Sequence, residues 1–110
     1  MASLNNANNI PSHGFSRQLE KVRNSIVKEL DVNKLFPKLL RKGVFTVSEE
    51  RKILAISTPD ERTNLILDVV ASKEKTVFID FCQTLGECSP KLLTLLAVEG
   101  FEEGMNSQHL

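Results

Sequence analysis

Residues 39–50 read LLRKGVFTVSEE and place a helix stop directly before a helix start. Gly43 follows a leucine-rich segment, and glycine readily adopts the positive φ with which many helices end. Thr46 and Glu49 have the spacing of a capping box, in which the hydroxyl and the carboxylate each accept a hydrogen bond from a backbone amide at the helix start. The stretch therefore predicts two helices joined by a tight turn.

Toward the N-terminus, two amphipathic helices are predicted. The second helix is expected to begin near Asn33 as its N-cap, with Pro37 in the first turn, where a missing backbone N–H costs little. The first helix is expected from Ser16 onward, because apolar residues recur there at steps of three, four and four. The predicted buried positions are Leu19, Val22, Ile26 and Leu30 in the first helix and Leu35, Phe36, Leu39 and Leu40 in the second.

Toward the C-terminus, a short third helix follows the capping box. It is expected to bury Ile53 and Leu54 and to end near Ser57. Residues 58–61 form a second candidate capping box, with a proline at the first helical position, where proline is favoured. The fourth helix begins there and carries apolar residues on more than one side, so we expect it to lie at the centre of the fold.

Two more helices are predicted, after a loop or helix start at residues 73–75 and after Ser89. The fifth helix is expected to end at Gly86 and the sixth at Gly100. Residues 76–81 also contain strand-forming side chains, but the apolar helical spacing continues beyond them and no second strand is available for pairing. The expected fold is all-α, a six-helix antiparallel bundle.

Length, composition and charge suit one small globular domain. The chain has 110 residues, of which 41% are hydrophobic and 25% charged. Residues 1–15 are predicted to be a flexible leader, residues 16–99 the domain and residues 100–110 a polar tail. Lys plus Arg and Asp plus Glu both count 14, and the resulting zero net charge argues against non-specific binding to nucleic acid or to a membrane.

The sequence gives no support to an enzyme. Cys82 lies on an apolar stripe and is interpreted as a core residue, whereas Cys88 is assigned to a loop. His13 and His109 fall near the two ends of the chain, so no Cys–His pair is expected. With no glycine-rich phosphate loop and no metal-ligand cluster in the sequence, we expect no catalytic residue, metal, cofactor or small-molecule substrate. Two cysteines without a disulfide pattern fit a reduced, intracellular protein.

Several segments taken together resemble the caspase recruitment domains of the death-fold superfamily. The order of leucines, glycine, an apolar pair, threonine and Ser-Glu-Glu in residues 39–50 looks like the family's junction between helices two and three. Residues 58–68, which begin Thr-Pro and end Leu-Ile-Leu-Asp, are similar to its helix four, and residues 78–85 resemble its helix five. The resemblance covers about residues 17–98 and implies a death-fold bundle with a Greek-key arrangement.

The resemblance implies homotypic assembly, in pairs or in filaments, that brings attached effectors close together. The implied function is an adaptor or recruitment module of apoptotic or innate-immune and inflammatory signalling in the cytoplasm. The implied partner is another protein with a caspase recruitment domain (a caspase, an adaptor or a sensor) that presents an acidic patch. Two alternatives stay open: a stand-alone decoy that blocks such assembly and, in a different class, a small DNA-binding domain that uses the second helix for recognition.

Members of the family commonly join a basic surface of helices one and four to an acidic surface of helices two and three. Carried onto this chain, the predicted basic partner-binding residues are Arg17, Lys21, Arg23, Lys28 and Arg62, to which the second helix adds Lys34, Lys38, Arg41 and Lys42. The predicted acidic residues are Asp31, Glu49 and Glu50. The basic second helix departs from the family pattern and is expected to favour a strongly acidic partner. An ordinary solvated helix face, and for Glu49 a capping role alone, remain alternative interpretations.

Overall fold

The structure is a computed structural model that describes residues 15–100, and its regular elements are all helical. The helices are α1 (Ser16–Glu29), α2 (Val32–Arg41), α3 (Val47–Leu54), α4 (Pro59–Ala71), α5 (Lys75–Cys88) and α6 (Pro90–Leu95), which continues as a π-helical turn over Leu96–Gly100. Residues 15–100 contain no strand, so the all-α, six-helix prediction is confirmed. Apart from Phe15 and Gly100, the predicted leader and tail lie outside the described residues.

Helix α4 lies at the centre of the bundle, as its apolar residues predicted. It contacts α1, α2, α3 and α5, and its residues Ile66 and Leu67 are fully buried. The predicted buried stripe of α1 is confirmed, because Leu19, Val22 and Ile26 are at most 2% exposed. Burial of these apolar side chains is the main source of stability in a small helical domain.

The two ends of the described chain meet at the start of α1. Phe15 precedes α1, and its ring stacks on that of Phe78 with the centroids 4.1 Å apart. The π-helical turn after α6 also packs against α1. The approach is close, since a Cβ atom on Gly100 would lie 3.1 Å from the carbonyl oxygen of Gln18.

Helix α2 begins earlier than predicted. Asp31, not Asn33, is the N-cap, and its carboxylate accepts a hydrogen bond of 3.0 Å from the Asn33 amide. The earlier start buries Val32, which is 2% exposed. It also puts Pro37 in the second turn of α2 instead of the first. Because proline has no N–H, Pro37 cannot donate the helical hydrogen bond to the Asn33 carbonyl from this position.

The turn between α2 and α3 has the geometry that residues 39–50 predicted. Gly43 has a φ of +72°, and its amide donates to the carbonyl of Leu40 while the amide of Val44 donates to that of Leu39. These are the two hydrogen bonds of a Schellman motif. The capping box is complete: the Thr46 hydroxyl accepts from the Glu49 amide at 3.1 Å, and the Glu49 carboxylate accepts from the Thr46 amide at 2.9 Å.

Three predictions for α3 and α4 were wrong. Helix α3 ends at Leu54 rather than near Ser57. Leu54 is also 52% exposed instead of buried. Neighbouring residues on a helix point about 100° apart, and Ile53 takes the core position. The second capping box is only half formed. The Glu61 amide donates to the Thr58 hydroxyl, but the Glu61 carboxylate accepts from that hydroxyl and not from the Thr58 amide.

Helix α5 does not end at Gly86 but runs on to Cys88. The packing of α6 explains why a glycine is found inside a helix at this place. A Cβ atom at position 86 would lie 2.7 Å from Cδ2 of Leu93, so the missing side chain lets α6 approach α5 closely. Cys88 is therefore in the last turn of a helix and half-buried, and its assignment to a loop was wrong.

The Schellman turn can be tested by substitution at Gly43. We expect Gly43→Ala to lower the free energy of unfolding by about 1 kcal/mol, because a Cβ atom disfavours positive φ even where it meets no neighbouring atom. Gly43→Asn should lose less, since asparagine tolerates the left-handed conformation. Urea denaturation of the three proteins measures the effect, and an alanine variant as stable as the parent would contradict this account of the turn.

Candidate interaction surface

The exposed side of α1 carries three of the predicted basic residues. Arg17, Lys21 and Lys28 are all exposed to solvent, whereas the opposite side of α1 enters the core. Arg17 and Lys28 are eleven residues apart along the helix, which corresponds to about 16 Å at the rise of an α-helix. The structure thus presents a strip of positive charge on α1, as the sequence predicted, and the partner that it binds stays a prediction.

Arg23 has a different environment from the other basic residues of α1. Its guanidinium donates to Oδ1 of Asn64 at 2.8 Å and to Oδ1 of Asp68 at 2.7 Å, both on α4, and to the carboxylate of Glu20 at 3.1 Å. Only 18% of the Arg23 side chain is exposed. The donors of Arg23 therefore tie α1 to α4, and few of them remain for a partner.

Arg62 is also engaged within the domain. Its Nη2 atom donates a hydrogen bond of 2.6 Å to the carbonyl oxygen of Ile56, in the connection between α3 and α4. Its Nε atom is buried and has no hydrogen-bond partner among residues 15–100. Arg62 thus holds this connection in place, an internal role that its position near the start of α4 did not reveal.

The basic face of α2 lies beside the end of α5. Lys34 and Arg41 are exposed and form no ion pair within residues 15–100. Lys38 and Lys42 each lie 3.7 Å from a different oxygen of the Glu87 carboxylate, on α5. Exposed ion pairs of this kind contribute about 0–1 kcal/mol each. Glu87 was not among the predicted site residues, because only the packing of α2 against α5 brings it next to these lysines.

The two cysteines are poor nucleophiles in this structure. Burial raises the pKa of the Cys82 thiol to about 11, which agrees with its interpretation as a core residue. Burial also raises the pKa of the Cys88 thiol, while the charges of Lys38 and Lys34 lower it and those of Glu87 and Asp31 raise it. Both thiols are therefore protonated at neutral pH, and Cys88 lies within reach of the charges between α2 and α5.

The predicted acidic residues are largely used for helix capping. Asp31 caps α2, and Glu49 belongs to the capping box of α3. The carboxylate of Glu49 also accepts a hydrogen bond of 2.7 Å from Nζ of Lys73. Burial alone raises the pKa of Glu49, but the hydrogen bonds from Lys73 and Thr46 outweigh this and hold the pKa below its ordinary value. Of the three, Glu50 alone has no such internal contact within residues 15–100.

Two other features are absent from the described chain, a cluster of metal ligands and a helix long and apolar enough to cross a membrane. Within residues 15–100, no three His, Cys, Asp or Glu side chains cluster as they would around a metal ion. In the same range, every helix is too short or too polar to cross a membrane. What the arrangement provides is a charged protein surface, with exposed cations on α1 and α2.

Comparison with known proteins points to one family. The family model described as CARD, caspase recruitment domain, matches residues 16–99. Neither the curated proteins nor the solved structures gave a match. The family match covers α1 to α6 and the charged surfaces described above.

The internal role of Arg23 predicts a difference between two arginines of α1. Arg23→Gln should lower the free energy of unfolding by about 1–2 kcal/mol, because it removes charge-assisted hydrogen bonds to α4. Arg17→Gln, on the same helix but exposed, should change it by less than about 0.5 kcal/mol. Urea denaturation distinguishes the two, and equal effects would show that Arg23 does not connect the helices.

The ion pair of Glu49 predicts a dependence of stability on pH. Because the folded-state pKa is lowered, the stabilisation is present above the unfolded-state pKa and is lost as the pH falls through the folded-state value. Glu49→Gln keeps the capping-box geometry but removes the charge, so it should cost about 1 kcal/mol at pH 7 and progressively less as the pH falls through the lowered folded-state pKa of Glu49.

Thermal unfolding of the parent and of Glu49→Gln across this pH range gives the comparison. Glu50→Gln is the matched control on the next residue of α3, since Glu50 forms no ion pair within residues 15–100 and little change is expected. A constant difference between Glu49→Gln and the parent at every pH would contradict the assigned role of the charge.

Proposed function

The chain belongs to the caspase recruitment domain family, and on this premise we propose that it is an adaptor or recruitment module of apoptotic or inflammatory signalling complexes in the cytoplasm. A domain of this family is a homotypic protein-interaction module. The proposed partner is a caspase, an adaptor or a sensor with a domain of the same family. Binding would bring attached effectors together by raising their effective concentration, with no chemistry in the domain itself.

The observation that carries the proposal is the exposed positive charge of α2. Lys34 and Arg41 are exposed on this helix without an internal ion pair in the described chain, next to Lys38 and Lys42. A cationic helix face of this kind suits a partner with a cluster of carboxylates. Such complementary charges mainly set the choice of partner and the association rate, and they contribute less to affinity.

The acidic side of the domain is weaker than the basic side. Asp31 and Glu49 have their carboxylates occupied by helix caps, and Glu49 also by Lys73. A partner would have to compete with these internal contacts. We therefore propose that this domain acts as the basic member of a pair, and that its partner supplies the acidic surface.

The test is a binding panel of purified caspase recruitment domains, measured at low and at physiological salt. A DNA duplex is included because the basic α2 is also the feature on which the DNA-binding alternative depends. We expect salt-sensitive binding to one or a few domains, since the screening length of exposed charges falls from about 30 Å at about 0.01 M salt to about 8 Å at physiological salt. Binding to DNA alone would reject the proposal.

Charge reversal then locates the surface. Lys34→Glu/Arg41→Glu should weaken binding at least about tenfold, because both charges are exposed and face the proposed partner. Lys21→Glu/Lys28→Glu tests the α1 strip in the same way. Lys52→Glu/Lys75→Glu is the matched control, with an equal change in net charge at exposed lysines of α3 and of the start of α5. Circular dichroism verifies that each variant is folded, and a control as damaging as the α2 variant would contradict the assignment of the surface.

A further inference from the structure

Glu87 occupies the centre of the basic surface of α2. Its two carboxylate oxygens lie 3.7 Å from the ammonium nitrogens of Lys38 and Lys42, one oxygen to each lysine. These two lysines are one helical turn apart on α2, so a single carboxylate can serve both. A free domain thus already holds, on its own positive surface, the chemical group that an acidic partner would bring.

The local helix does not explain a glutamate at this place. Glu87 lies in the last turn of α5, where the exposed carbonyl groups make a negative charge unfavourable. Glutamine or lysine would suit the end of α5 better. The contacts of Glu87 with α2 are therefore the interactions that offset this unfavourable position.

The contacts of Glu87 are also easily broken. The exposed fractions of the three side chains are 38% for Lys38, 29% for Lys42 and 52% for Glu87. At 3.7 Å in contact with water, the ion pairs are long and screened, which makes each of them weak. An incoming carboxylate could replace Glu87 without disturbing the core.

We propose that Glu87 is a specificity-determining residue, an internal competitor that occupies Lys38 and Lys42 in the free domain and leaves them when an acidic protein surface binds. This inference rests on the proposed function, because it assigns Glu87 to the same basic surface. A partner with one isolated carboxylate gains little by replacing Glu87. A partner whose carboxylates reach both lysines and also the exposed Lys34 and Arg41 gains more binding free energy. Glu87 therefore lowers the affinity of the domain for acidic surfaces in general and favours strongly acidic partners over weakly acidic ones.

Cys88, the neighbour of Glu87, reports on this charge balance without any partner. The Glu87 carboxylate raises the pKa of the Cys88 thiol, and Lys38 and Lys34 lower it. Removal of the Glu87 charge should therefore lower the pKa of Cys88. Cys82, where burial is the cause of the raised pKa, provides an internal reference in the same molecule.

The experiment compares Glu87→Gln with Glu74→Gln. Glu74 is the matched control, because it is exposed at the opposite end of α5, thirteen residues and about 20 Å away, and its side chain makes no capping hydrogen bond. For each protein, the rate of alkylation of the two cysteines is followed against pH by mass spectrometry. A hexaglutamate peptide is then titrated at low salt and followed through the NMR signals of residues 34–42.

We expect Glu87→Gln to lower the pKa of Cys88 and to bind hexaglutamate about threefold more tightly than the parent, with the difference lost at high salt. Glu74→Gln should match the parent in both measurements. An unchanged affinity in Glu87→Gln, or an equal gain in Glu74→Gln, would overturn the inference, because the first excludes competition and the second shows a general effect of net charge.

The outcome of the peptide and thiol measurements on Glu87→Gln can be distinguished from the outcome of the binding panel of caspase recruitment domains. If the peptide and thiol measurements turn out as expected while no caspase recruitment domain binds, the adaptor proposal fails and the competitor role of Glu87 stands. If a domain binds through α2 but Glu87→Gln binds it no more tightly than the parent does, the adaptor proposal stands and the competitor role is rejected.

Discussion

The Schellman turn at Gly43 and the capping box of α3 together fix where α2 ends and how α3 leaves it. The positive φ of Gly43 stops α2 after Arg41, and the hydrogen bonds between Thr46 and Glu49 start α3 at Val47. Because both helix ends have their backbone groups satisfied locally, α2 cannot lengthen without losing these bonds. The side chains that α2 buries (Val32, Leu35, Phe36 and Leu39) then set its rotation about its axis, and with it the lysines that lie beside α5.

The charged residues of the domain fall into two groups with different physical roles. Half-buried charges need a partner inside the fold, since a buried unpaired charge is costly. The residues that satisfy this need, or that cap a helix, are Arg23, Arg62, Asp31 and Glu49. Other cations are exposed at the surface, on α1 and α2 and also at Arg51, Lys52 and Lys75. The chain of 110 residues has a formal net charge of zero, but on α2 the exposed Lys34 and Arg41 have no ion pair within residues 15–100.

Features that depend on neighbours in the chain could be predicted from the sequence. The capping box at Thr46 and the buried stripe of α1 need only the helical period and hydrogen bonds between nearby residues. Features that depend on tertiary packing could not. Gly86 resembles a helix stop until α6 is placed against it, and Glu87 shows no signal of its site until α5 lies beside α2. The same holds for Arg23, whose hydrogen-bond acceptors on α4 are distant in the chain.

The close approach of the π-helical turn to α1 also determines how this domain can be tethered. Phe15 and Gly100 both lie next to the first turn of α1, so a polypeptide that continues before residue 15 leaves from the same pole of the bundle as one that continues after residue 100. Attachment through either end would therefore constrain the domain at the same end of the bundle, so the two attachment points cannot hold its opposite ends apart.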